Sequence, residues 1–299
     1  MNTNLLKNIL FIAVFALFPG CSGSETKVDI EQSNAHYQLG IEFAQYKLLN
    51  NAVEEFLLAI RYNPDNFKAH SKLGLVYFNM GKNDRAEKEW EKALAINPNY
   101  IKTYINLGTL YYLSKDNKKK ALGYWEKALS VSPGDVDALN NIGNYYKDKK
   151  DFDKAVQYYQ RAEEVKPDST LILNNMGNIY LSMGKADEAE KTLLRSKEIQ
   201  PDNPATNYIL GKFYNQKKEL DKAIEAYNDV ISASPRFAEP YYELSSIYLN
   251  DKKDFSKAES MIKKAIELKP ADEKYNELYE SIKGSGVKGH GSRKATFDS

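Results

Sequence analysis

The sequence predicts an all-α array of seven helix-turn-helix repeats, and three recurring features predict it. A glycine returns at Gly40, Gly74, Gly108, Gly143, Gly177 and Gly211, spaced 34, 34, 35, 34 and 34 residues, and Ser245 stands in the same place another 34 on. Three residues after each comes an aromatic: Phe43, Tyr77, Tyr111, Tyr146, Tyr180, Tyr214 and Tyr248. Each repeat then passes an alanine (Ala52, Ala86, Ala121, Ala155, Ala189, Ala223, Ala258) and closes on a proline (Pro64, Pro98, Pro133, Pro167, Pro201, Pro235, Pro270). Self-similarity at this period marks stacked supersecondary units, none of which can bury its apolar face alone.

Before the repeats, residues 1–20 read as an export signal. Lys7 opens a short polar start, and Ile9 to Phe18 is an unbroken apolar run of ten, long enough for a signal and too short for a membrane-spanning helix. The only cysteine, Cys21, follows directly and can form no internal disulfide. Gly20-Cys21-Ser22 resembles the lipobox of bacterial lipoproteins, in which the cysteine is lipidated and becomes the new N-terminus. Phe18 and Pro19 depart from that pattern, and an ordinary secretory cleavage nearby is the other reading. Residues 21–32 are then a linker.

Within each repeat the columns have physical reasons. An apolar residue, the glycine and the aromatic fall on one helical face. Glycine and alanine let two helices approach where a larger side chain would hold them apart. Phe56, Trp90, Trp125, Tyr159, Leu193, Tyr227 and Ile262 supply the bulk of the second helix, and the proline ends it. Over residues 33–272 these columns resemble the tetratricopeptide-repeat (TPR) family. The resemblance implies a right-handed TPR solenoid of seven helix-turn-helix repeats whose concave groove takes a protein or peptide. Residues 273–283 read as a C-terminal capping helix with Tyr275, Leu278, Tyr279 and Ile282 turned inward, and residues 284–299 as a disordered tail.

Composition narrows the chemistry. Lys+Arg is 42 and Asp+Glu 41; Lys7 is the one charged residue before Cys21, so the rest is balanced and has no charge excess for nucleic acid. With three histidines and one cysteine, a metal site has too few ligands, and His36 and His70, at equivalent places in repeats one and two, read as core or edge residues. No nucleophile elbow, phosphate loop or zinc-protease motif occurs, and the carboxylates are scattered over helix faces. The expectation is a binding protein without cofactor, metal or catalytic residues.

The candidate binding residues lie on the opposite side of the first helices, which in TPR proteins lines the groove. They are Asn106 in repeat three, Asn140, Asn141 and Asn144 in repeat four, and Asn174, Asn175 and Asn178 in repeat five, with Lys147 and Lys212 beside them. An amide offers both a donor and an acceptor, which suits the alternating groups of an extended main chain. The series resembles the asparagine ladder of O-linked N-acetylglucosamine transferases, whose catalytic domain has no counterpart here. Asparagine is also common at these places in TPR repeats generally. The carboxylate clamp of TPR co-chaperones is absent, since Tyr37, Ile41, Ser71 and Leu75 stand there. Lysines at the turns inside the repeats (Lys118 to Lys120, Lys149, Lys150, Lys217, Lys218, Lys252, Lys253) are interleaved with acids and read as solvated turns, with an anionic surface as the minor alternative.

These features lead to an expectation of an envelope lipoprotein at the outer membrane, facing the periplasm, that presents its groove to a protein partner; the alternative is a soluble periplasmic chaperone-like binder of extended chains. If Cys21 is lipidated, Cys21→Ser abolishes both palmitate incorporation and partition with membranes, because acyl chains contribute about 0.8 kcal/mol per buried methylene. Labelling and fractionation of the two proteins check this.

Overall fold

The computed structural model describes residues 28–290. The expected signal, Cys21 and most of the linker lie outside them, as do residues 291–299. Every regular element among the described residues is helical. The helices are α1 (Ile30–Gln45), α2 (Leu49–Tyr62), α3 (Phe67–Asn79), α4 (Asn83–Ile96), α5 (Ile101–Leu113), α6 (Lys118–Val131), α7 (Val136–Asp148), α8 (Phe152–Val165), α9 (Thr170–Ser182), α10 (Ala186–Ile199), α11 (Pro204–Gln216), α12 (Leu220–Ala233), α13 (Ala238–Asn250), α14 (Phe255–Leu268) and α15 (Glu273–His290). Odd-numbered helices through α13 open the repeats, even-numbered helices close them, and α15 follows. The chain divides into two compact bodies, one through Tyr145 and one from Tyr146. α15 continues through Gly284 to His290, where a disordered tail was expected. A helix already docked through Tyr275 and Ile282 extends by one hydrogen bond per added residue, which here offsets the low helix propensity of the glycines.

Helix ends follow from local sequence. The residue before each closing proline (Asn63, Asn97, Ser132, Lys166, Gln200, Ser234, Lys269) is extended, with φ between −132° and −143°, as the proline ring requires of its predecessor. Two residues past four of those prolines stands an Asn or Asp that caps the next helix: Asn66 accepts from the Ala69 amide at 3.0 Å, Asp135 from Ala138 at 2.9 Å, Asn203 from Thr206 at 3.2 Å and Asp272 from Tyr275 at 3.4 Å. The turn inside each repeat holds one left-handed residue: Lys47, Gly81, Asp116, Lys150, Gly184, Lys218 and Lys253, at φ 45° to 73°. Only two of these seven are glycine, so several turn lysines occupy conformationally demanding positions.

The contact between paired helices is the one the columns implied. A Cβ placed on Gly40, Gly74, Gly177 or Gly211 would come 2.6 to 2.7 Å from Phe56, Trp90, Leu193 or Tyr227, and one on Gly108 would strike Trp125. In repeat seven Ser245 stands in the glycine's place, and its buried hydroxyl donates to the Ala258 carbonyl at 2.7 Å. The alanine column is wholly buried, and a second small column follows it at Ala59, Ala93, Ala128, Ala162, Ser196 and Ala265.

Repeats are also tied along the edge that carries the inner turns. The Tyr111 hydroxyl donates to Glu87 of the preceding repeat, and Lys115 pairs with Glu87 at 2.7 Å and Asp84 at 2.9 Å. The same device recurs where Tyr214 (3.2 Å) and Lys217 (3.1 Å) reach back to Glu190. Lys252 pairs with Asp221 at 2.7 Å and Lys218 with Asp251 at 3.0 Å. These turn lysines are cross-links between repeats as well as solvated charges.

Two predictions follow from these contacts. Gly74→Ala forces Trp90 off its seat and costs about 1–3 kcal/mol, whereas Gly123→Ala, with nothing within 4 Å of the added methyl, gains about 0.5–1 kcal/mol of helix stability; urea unfolding followed by circular dichroism separates them. For Glu87, burial is the largest influence and raises its carboxyl, but Lys115, Tyr111 and Lys120 together outweigh it and hold the group below the ordinary carboxylate range. A lowered carboxylate gives stability that is complete above its unfolded pKa and disappears as pH falls through the folded one. The wild type therefore loses stability on acidification more steeply than Glu87→Gln, which unfolding curves across the acidic range test.

Candidate functional site

Among the described residues, the first helices of each body border a cavity. In the N-terminal body a cavity of about 170 Å³ is lined by Lys72 and Leu75 on α3, Lys102 and Asn106 on α5, and Asp137 on α7. In the C-terminal body a cavity of about 230 Å³ lies between α9 and α11, lined by Asn178, Leu181, Ser182, Ile209, Lys212 and Gln216. Asn178 and Lys212, both named as candidates from the sequence, are exposed there. Residues at corresponding offsets converge because consecutive first helices lie side by side in each body.

The other candidates divide. Asn106 is half-buried at its cavity; Asn140, Asn141, Asn144, Lys147 and Asn175 are half-buried on their helices. Asn174 is a correction. Only 6% exposed, it turns into the core, where its Oδ1 accepts from the hydroxyls of Ser196 and Thr206, each at 3.0 Å. Ser196 takes the place that alanine holds in five of the other repeats, and its buried hydroxyl needs partners. Asn174 is one of them and is not available to a ligand in the groove.

His36 and His70 are internal, as expected. His36 Nδ1 meets Glu55 Oε2 and His70 Nδ1 meets Glu89 Oε2, both at 2.6 Å, in equivalent positions. His70 Nε2 also lies 3.1 Å from the Pro64 carbonyl, the role that the Asn207 side-chain amide plays for Pro201 at 2.8 Å. Among the described residues no group of three His, Cys, Asp or Glu could hold a metal, and no helix is long and apolar enough to cross a membrane.

Sequence reasoning missed two features. One is a larger cleft of about 650 Å³ involving α8, α9 and α10, with Glu163, Lys191 and Arg195 among its walls; Arg195 pairs with Glu163 and donates to the Pro167 carbonyl at 2.9 Å. The other is Glu243, half-buried on α13 at an offset that faces the groove. Burial raises its carboxyl above the usual range, against the opposing pull of Lys212 and the Tyr208 hydroxyl. Tyr208 itself is pushed up to about 12 by burial and by Glu243 and Glu239. Glu243 lies two residues before Ser245, in the same column as Asn106, Asn141 and Asn175, and was detectable there.

Comparison with known proteins agrees with this geometry. Models described as tetratricopeptide repeat match residues 67–100, 136–169, 174–236 and 238–272, and one described as TPR repeat matches residues 34–81. No curated protein sequence matches the chain. Among solved structures, a tetratricopeptide repeat protein from Parabacteroides merdae is 21% identical, with a TM-score of 0.63 over 84% of this chain and 99% of its own. The pilF protein of Pseudomonas aeruginosa is 21% identical, with a TM-score of 0.62 over 72% of this chain and 97% of its own. PilW, described as a widely conserved type IV pilus biogenesis factor, is 19% identical, with a TM-score of 0.62 over 70% of this chain and 96% of its own. With its paired helices, its glycine and alanine contacts and repeat models matched along both bodies, the chain belongs to the tetratricopeptide-repeat proteins, a protein-interaction fold.

Proposed function

We propose that this chain is a cell-envelope scaffold or assembly factor, exported and lipid-anchored at Cys21 to the outer membrane on its periplasmic side, which holds an extended segment of a protein partner against its first helices. The observation that carries the binding reading is the cavity between α9 and α11, where the Asn178 amide and the Lys212 ammonium stand exposed beside Leu181 and Ile209. The amide matches a peptide group in both directions, the ammonium donates to carbonyl oxygens, and the two apolar residues give a partner side chain surface to cover. Asn106 with Lys72 and Lys102 offers a similar combination in the N-terminal body. Export and anchoring rest on the apolar run, the single cysteine and the residues around it.

A partner recovered from crosslinked envelopes is the ligand for the decisive test. If Asn178 makes one ordinary hydrogen bond to it, Asn178→Ala weakens binding by about 0.5–1.5 kcal/mol, roughly two- to tenfold, with the fold unchanged because this side chain is exposed. Calorimetry on wild type and variant measures the difference, and equal affinities overturn the assignment of the α9–α11 cavity. Processing that is blocked by globomycin supports the anchored form, and processing that is indifferent to it favours a soluble periplasmic binder.

A further inference from the structure

Glu243 lies on the same side of its helix as Asn178 and Lys212 lie on theirs, one repeat beyond Lys212. It is half-buried, and no lysine or arginine among the described residues closes an ion pair on it. The cation that influences it, Lys212, is exposed, with its Nζ 5.9 Å from the Tyr208 ring. Tyr208 packs between Tyr227, at a ring separation of 5.9 Å, and Phe237, at 5.2 Å. The Tyr208 hydroxyl hydrogen-bonds Glu243, but a phenol brings no charge and the Lys212 ammonium stands out in solvent. A half-buried carboxylate compensated only in this way is unfavourable. A guanidinium or ammonium on Glu243 supplies the missing charge and finds the Tyr208 ring beside it.

We propose that this corner of the C-terminal body is the docking point for a basic side chain, arginine or lysine, of the extended segment held at Asn178. The proposal rests on the groove reading above and adds the charge of the partner to it. Asn178 then holds main chain on one side of Lys212, and Glu243 selects a side chain on the other.

The test uses an acetylated, amidated alanine-serine peptide with one central arginine, and its citrulline counterpart, which keeps the shape and loses the charge. Fluorescence anisotropy on the full exported chain is expected to give about tenfold tighter binding of the arginine peptide. Glu243→Gln is expected to abolish that preference, and Lys212→Gln, which removes a competing charge, to widen it; circular dichroism confirms that both variants remain helical. Equal binding of the two peptides by wild type overturns the basic-side-chain assignment and leaves the groove reading intact. A preference that survives Glu243→Gln overturns the assignment to this carboxylate. Binding of neither peptide overturns the docking point and the main-chain grip together.

Discussion

The close approach of paired helices inside each body is the contact on which the rest of the fold depends. Gly74 admits the Trp90 indole because it has no side chain, and the indole Nε1 donates to the Ser71 carbonyl at 3.0 Å, so the first helix both receives and orients the bulk of the second. Alanines at two levels of the second helix keep the rest of the seam narrow. That spacing sets which residues face the next repeat and which remain on the free side of the first helix. The binding residues are therefore positioned by a contact in which they take no part.

Contacts between repeats are less uniform than contacts within them. The Tyr111, Lys115 and Glu87 cluster and the Tyr214, Lys217 and Glu190 cluster use the same column positions in different repeats, with small shifts in where the lysine stands. Where a small apolar residue is replaced by a polar one, its own repeat and the next both answer it, as Asn174 and Thr206 answer Ser196. Such substitutions keep each interface distinct while leaving the helical frame unchanged.

The frame was legible in the sequence because a recurring helix contact leaves the same residue types at the same spacing in seven repeats. Turn position, proline termination and the large residues of the second helix all came from that repetition. Asn174 was misread because its direction is decided by Ser196 and Thr206, 22 and 32 residues away, and no local pattern reports what a side chain meets at that distance. Glu243 stood in a groove-facing column, but its half-burial and its hydrogen bond with Tyr208 of the preceding repeat emerge only when neighbours are in place. The helical course of Gly284 to His290 was hidden for a different reason, since composition there argues against helix and the docked turns before it decide.

The large side chains that face the glycines are chemically unequal, and the inequality follows the division of the chain. Both tryptophans, Trp90 and Trp125, belong to the N-terminal body, while the equivalent places in the C-terminal body hold Tyr159, Leu193, Tyr227 and Ile262. Indole emission therefore observes only half of the array, from a dry interior where its wavelength is sensitive to the arrival of water. An ellipticity signal averages over every helix. The gap between the two, followed through one titration, is a built-in measure of how far the halves melt as one cooperative unit.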